Sequence, residues 1–196
     1  MEKPALTSLT IIPEIKNRWS PRSFSDKPVQ AEMLQRIFEA ARWAPSSFNE
    51  QPWRFIVGIK GDETYDKLHS CLVEFNQIWA INAPVLVLAI GKKTSSKGAE
   101  NTVYQYDVGQ SVAYLSIQAE AEGLKSHQMG GFSKKNAREA FAIPDDFEPL
   151  VMTAIGYQDV PERLKPNFAD MERQPRERLL PEALVFSGRF GNKAEF

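Results

Sequence analysis

Apolar positions recur along this chain at two spacings, one helical and one strand-like. Over 28–41, Met33, Leu34, Ile37, Phe38 and Ala41 fall on one helical face. Over 65–75, Leu68, Leu72 and Phe75 do the same, and 102–122 is the longest such pattern. That segment carries Gly109, Ser111, Ala113, Ser116, Ala119 and Ala121. Small residues admit close helix approach, so it reads as a central helix suited to a subunit interface, stopped by Gly123. Two shorter helices are predicted. One is capped by Thr10 and runs through Ile11, Ile12, Ile15 and Lys16, with Pro13 in its first turn; the other starts at Ser133 and ends near 141. Strand patterns lie at 55–60, 83–91, 124–132 and 149–156. The 83–91 run is almost continuously apolar, which predicts a strand buried on both faces and a sheet with helices on both sides. From 157 on, Pro161, Pro166, Pro175 and Pro181 interrupt any long element. This stretch reads as an arm laid over a surface. Its strand-like 183–186 pairs either with a partner chain or with its own sheet.

The polar positions between these elements hold the candidate chemistry. The stretch 44–53, Ala-Pro-Ser-Ser-Phe-Asn-Glu-Gln-Pro-Trp, joins a helix to a strand. Two prolines stiffen it, and its hydroxyls and amides offer uncharged donors and acceptors, which suits a neutral planar ligand. Such residues also make an ordinary turn, with Trp53 in the core. In 18–24, Pro21 favours extended backbone, so alternation puts Arg18, Ser20 and Arg22 on one side. Two guanidiniums around a hydroxyl make either a phosphate clamp or a solvated basic segment. After the strand at 124–132, Gly130 and Gly131 permit close backbone approach to a ligand. Cys71 and His69 lack a base-and-orienter arrangement and read as a packing residue and a surface residue. His127 reads as packed. The polar stretch 92–101 is a lid or a plain connection.

Composition narrows the function classes. The 196 residues suit one domain, and a net charge of −1 gives no sign of nucleic-acid or membrane-surface binding. A single cysteine rules out an intrachain disulfide and a cysteine-rich metal site. With no secretory pattern at the N-terminus, a reducing, cytoplasmic setting is expected. No glycine-rich nucleotide loop, His-Glu-x-x-His or Gly-x-Ser-x-Gly occurs, and two histidines make no His-rich metal site.

Three pieces together, Arg18-Trp19-Ser20-Pro21-Arg22-Ser23-Phe24, the 44–53 stretch, and Arg176-Glu177-Arg178, resemble the nitroreductase family of FMN flavoproteins in order and spacing. The resemblance runs from about 15 to 186. It implies an α+β fold with three α/β/α layers, a mixed and largely antiparallel central sheet, and an intertwined homodimer. Residues 1–160 would form a single FMN-binding domain, and 161–196 an arm of that domain that wraps the partner subunit. It further implies FMN at the dimer interface. Arg18 and Ser20, within the Arg18-Trp19-Ser20 stretch, match phosphate-binding positions, and Arg178 with Arg176 completes that site. Arg22 matches a cation near the pyrimidine edge. Pro45, Ser46, Ser47 and Asn49 match positions that reach the flavin from the other subunit. Asn76 matches an amide on the ring, and Gln128, Met129, Gly130 and Gly131 match the backbone that passes its N5 edge.

Two departures stand out. Some members carry glutamate where Gly130 stands, a position whose contact is through the backbone. Some also have a long insertion after the 83–91 strand, where this chain has a short loop.

The implied activity is transfer of a hydride from NADH or NADPH through flavin N5 to a small oxidant such as a nitroaromatic or quinone, in a ping-pong cycle. No side-chain acid or base is required, because the cofactor does the redox chemistry. Arg22 would favour the negative charge of the reduced ring. The alternatives are a more specialised flavin enzyme of the same fold (ene reduction, reductive dehalogenation or flavin fragmentation) and a non-catalytic FMN-binding protein. Neither nucleic acid nor membrane is expected as a partner, and no metal.

Overall fold

The computed structural model describes residues 2–195. Strands run over Trp53–Ile59 (β1), Val85–Lys92 (β2), Lys125–Met129 (β3) and Phe147–Gly156 (β4), and form one sheet in the order β1-β2-β4-β3. All three pairings are antiparallel. The apolar run therefore reports two covered faces and not strand direction, and among the described residues the expected mixed sheet is a wholly antiparallel one.

Period-two alternation in β2 assigns those faces. Val85 and Val87 pack with Met33, Leu34, Ile37, Leu115 and Ala119. Those residues belong to helices Ala31–Arg42 (α2) and Tyr104–Ala121 (α5). Leu86, Leu88 and Ile90 turn the other way, towards Tyr65, Leu68, Trp79 and Ala137. That layer comes from helices Glu63–Cys71 (α3), Glu74–Ala80 (α4) and Lys134–Ala140 (α6). Three layers result, with the sheet between them. No helix among the described residues is long and apolar enough to cross a membrane.

Four local predictions change. The first helix (α1) covers only Pro13–Asn17; its N-cap is Ile12, not Thr10, with no side-chain cap. The predicted 65–75 helix is two helices. Leu72 breaks it in extended conformation and bridges Phe132, while Val73 N donates to Gly131 O at 3.1 Å and Ser133 N to Cys71 O at 2.8 Å. Bonds from the 131–133 backbone replace those the helix would have made. Phe75 is consequently half exposed and meets Phe168 at 5.0 Å between ring centroids. His69 is half-buried instead of on the surface, stacked on Tyr65 with its Nε2 against Gln77 O. Residues 183–186 form no strand; Pro181–Ala183 is a 3-10 turn, and Phe186 makes only an isolated bridge to Lys193.

The arm also divides. Helix Pro166–Arg173 (α7) buries Phe168, Ala169 and Glu172 and joins the core cluster of α3 and α4. Beyond it, Leu179, Leu180, Leu184 and Phe190 are exposed.

Candidate functional site

Arg18 is the C-cap of α1, and its extended backbone (ψ 123°) launches the segment that builds the site. Alternation holds across it: Trp19, Pro21 and Ser23 are buried, and Arg18, Ser20 and Arg22 are half-buried. The inward set is fixed from three sides. The ring of His127, on β3, sits 2.9 Å from Pro21 O through Nδ1. Since a carbonyl only accepts, Nδ1 carries the proton. Ser23 Oγ donates to Val160 O at 2.6 Å, and Asp159 N donates to Ser23 O at 3.0 Å. The carboxylate of Glu172, on α7, accepts from Arg22 N (3.0 and 2.9 Å) and Ser23 N (3.1 Å).

The outward set lines a cavity of about 270 Å³ with Lys3, Arg176 and Arg178. Five cations thus share one small space, and none of them makes an ion pair among the described residues. Burial, then the Arg178 charge, holds Arg18 below the ordinary guanidinium value, with Glu120 opposing. Arg176 is lowered by burial and by Arg18 and Arg178. Burial lowers Arg22 against the pull of Glu172. Burial also lowers Lys3, whose ammonium bonds Glu172 O and Gln174 O and lies 4.5 Å over the Trp19 ring. Arginines stay charged, so the repulsion persists until an anion relieves it. Arg18 reaches Ser20 Oγ at a long 3.4 Å, and Arg178 bonds the Glu177 carbonyl. Arg176 is tied to the carbonyls of Lys3 (2.5 Å) and Lys16 (2.9 Å), so it braces the N-terminal segment as much as it lines the cavity.

A second cavity, about 380 Å³, shares Arg18 and Ser20 as its wall and continues along α5 past Ala113, Ser116 and Ile117 to Gln128. Gln128 Nε2 donates to Ser116 Oγ at 3.0 Å. Met129 is core, so only its backbone is available to a ligand. Gly130 opens on free space, whereas a Cβ at Gly131 would lie 2.7 Å from Asn76 Nδ2. Glycine there lets Asn76 donate to Gly131 O at 3.0 Å. Three contacts of α4 follow from the break at Leu72: Asn76 meets Gly131, Trp79 lies 4.5 Å from the His127 ring, and Arg22 lies 6.0 Å over Trp79. The Arg22 Nε, Trp19 Nε1 and Trp79 Nε1 donors are buried without partners.

The 45–49 loop stands apart from this cluster within the subunit. Phe48, Asn49 and Gln51 have φ of 49°, 57° and 48°, a conformation that costs non-glycine residues about 1–2 kcal/mol each. Polar bonds hold it: Ser47 N donates to the buried Asp107 at 3.2 Å, Gln51 N to Ser46 Oγ at 3.1 Å, and Ser96 to Glu50 through N and Oγ. Pro45 and Asn49 are exposed, and the Phe48 side chain is 97% exposed. Trp53 is core.

Lys3 and Glu172 are site residues that the sequence reading misses. Glu172 had a signal, since Phe168, Ala169 and Glu172 lie at one-turn spacing and share the inward face. Lys3 had none, because only the fold returns the N-terminus to α7. Cys71 is buried, and burial pushes its thiol up, as suits a packing residue. No group of three or more His, Cys, Asp or Glu among the described residues could hold a metal ion.

A cluster of cations without ion pairs among the described residues, beside orphaned donors, can receive an anion. The model of the nitroreductase family matches residues 15–74 and 63–157, more than half the chain. A crystal structure described as an oxidoreductase containing FMN is 35% identical, with a TM-score of 0.90 over 95% of this chain and 96% of that one. An uncharacterized 15.4 kDa protein of Mycolicibacterium smegmatis is 33% identical over 150 residues, 71% of this chain and 98% of that protein. A protein of Archaeoglobus fulgidus, provisionally named NADH dehydrogenase/NAD(P)H nitroreductase, is 27% identical over 73% of this chain and 82% of its own. This chain belongs to the nitroreductase family.

Proposed function

We propose that the chain is an FMN-dependent oxidoreductase that passes electrons from NADH or NADPH to a small acceptor such as a nitroaromatic or quinone. The observation that carries this reading is the set of five cations, without ion pairs among the described residues, around one cavity, beside a second cavity that shares Arg18 and Ser20 with it and reaches Gln128. FMN fits it. Its phosphate supplies the missing counter-charge, received by Arg18, Ser20 and Arg178 through charge-assisted bonds. Arg22, with its orphaned Nε, would meet the pyrimidine edge, and Asn76 would offer its amide to a ring that lies along 128–131. Bound FMN supplies two-electron chemistry between a nicotinamide and an acceptor in a ping-pong cycle. The protein's residues bind it, orient it and set the charge around it.

The 45–49 loop completes the site from a second copy of the chain. Its support is that the loop is held by its own polar bonds, while among the described residues no hydrogen bond, ion pair or shared cavity joins it to the cation cluster. The arm beyond α7, with its exposed leucines, wraps that same partner. A reducing compartment belongs to the reading, supported by one buried cysteine.

The test is an absorbance spectrum of the purified protein, before and after anaerobic NADPH and then NADH. Flavin bands that bleach support cofactor and donor together and name the preferred donor. Bands that persist overturn the redox half of the proposal, and no bands after added FMN overturn all of it.

A further inference from the structure

Glu172 is 1% exposed, a charged group removed from water. Burying a carboxylate costs several kcal/mol unless hydrogen bonds and charge compensate it. All the compensation here comes from the cation cradle. Both carboxylate oxygens take the amide of Arg22, one also takes the amide of Ser23, and the backbone carbonyl of Glu172 takes the ammonium of Lys3. A carboxylate that clamps two successive amides fixes the turn between Ser20 and Ser23, and therefore where the Ser20 hydroxyl and the Arg22 guanidinium point. The same carboxylate acts on the Arg22 guanidinium beyond ion-pair distance, opposing the effect of burial there. Glu120 faces the other side of the cradle, beside Arg18 and Arg176. Neither carboxylate approaches the five cations closely enough for an ion pair, so the cradle stays net positive but is moderated at Arg22.

We propose that Glu172 is a positioning residue of the FMN site that acts through Arg22, holding the 20–23 backbone in its binding pose and partly offsetting the Arg22 charge, and so setting the reduction potential of bound flavin. This rests on the FMN reading above. Reduction adds negative charge at the pyrimidine edge, and a less offset Arg22 would favour it.

The experiment compares wild type, Glu172→Gln, Glu172→Asp and the double variant Glu172→Gln/Arg22→Gln. Each is measured for FMN dissociation constant by fluorescence titration of the apoprotein, and for the midpoint potential of the holoprotein. Glu172→Gln, which removes the charge and keeps an acceptor oxygen, should raise the midpoint potential, and the double variant should abolish the rise. Glu172→Asp keeps the charge but withdraws it by one methylene, so it should weaken FMN about tenfold with little change in potential. A role confined to folding would lower thermal stability in all variants and leave the holoprotein potential where it was; that result overturns the proposal. If Glu172→Gln does not fold, Glu172→Asp decides alone: FMN affinity equal to wild type overturns the clamp. Failure of wild type itself to bind FMN would remove the functional reading instead, and would be seen before any variant was made.

Discussion

Two parts of this molecule are rigid, polar and poorly explained by core packing, and they are deficient in opposite ways. The 18–23 segment gathers arginines and a lysine from both ends of the chain and holds them by Glu172, His127 and the 159–160 backbone, but its cations make no ion pair among the described residues. The 45–49 loop has its backbone bonds supplied by Asp107, Ser46 and Glu50, yet its outer residues, Pro45, Phe48 and Asn49, are exposed. One region is incomplete for want of an anion, the other for want of a surface. A single ligand held between two copies of the chain would supply both.

The largest expected effect concerns the floor of the first region. Phe168→Ala empties a buried site on α7 against Phe75 and the α3–α4 core, so stability should fall by about 3–5 kcal/mol in denaturant melts. A loss below about 1 kcal/mol would mean that α7 is a surface strap after all. Next comes His127, whose ring burial holds at about 4 against an ordinary value near 6.5. Its folded form resists the proton, so this contribution is full above pH 6.5 and is lost as pH falls towards 4, where it levels off. Between pH 7 and 4.5, wild type should lose about 2–3 kcal/mol more than His127→Gln. Parallel pH curves would mean that burial does not hold the His127 ring neutral in the fold. Arg18→Ala should weaken FMN by about 1.5–3 kcal/mol in a titration of apoprotein, for one charge-assisted bond, while raising or sparing thermal stability as repulsion with Arg178 is relieved. Smallest is Asn49→Ala: a loss of about 0.5–1 kcal/mol in stability, because the side chain is exposed but alanine suits φ 57° less well than asparagine, with a displaced flavin spectrum if the loop touches the ring.

Residue pattern carries some of these features and not others. The 83–91 run predicts a strand with two covered faces, and the alternation of Val85/Val87 against Leu86/Leu88 shows why: each side chain has a helix layer to meet. Pairing direction is absent from that signal. The Arg18, Ser20, Arg22 side is legible because Pro21 enforces extended backbone. The break at Leu72 is not legible, because apolar spacing continues through it and the bonds that replace the helix come from residues 131–133. Yet that break is what brings Asn76 to Gly131. Lys3 is hidden for a similar reason, and Glu172 partly so, since its spacing with Phe168 marks an inward face but its charge argues against burial. A charge is conventionally read as surface, and only the tertiary fold places it against the amides that make its burial tolerable.

The claim that the two regions meet across two copies is tested most directly by mixing two defective variants. Arg18→Ala damages the cradle, and Pro45→Trp puts a bulky ring on the exposed side of the loop. Each homodimer should hold FMN poorly. After subunit exchange, a mixed dimer has both defects in one site and neither in the other, so tight FMN binding should return at about one quarter of all sites. If the loop serves its own subunit, every site keeps one defect, and no tight binding returns at any mixing ratio.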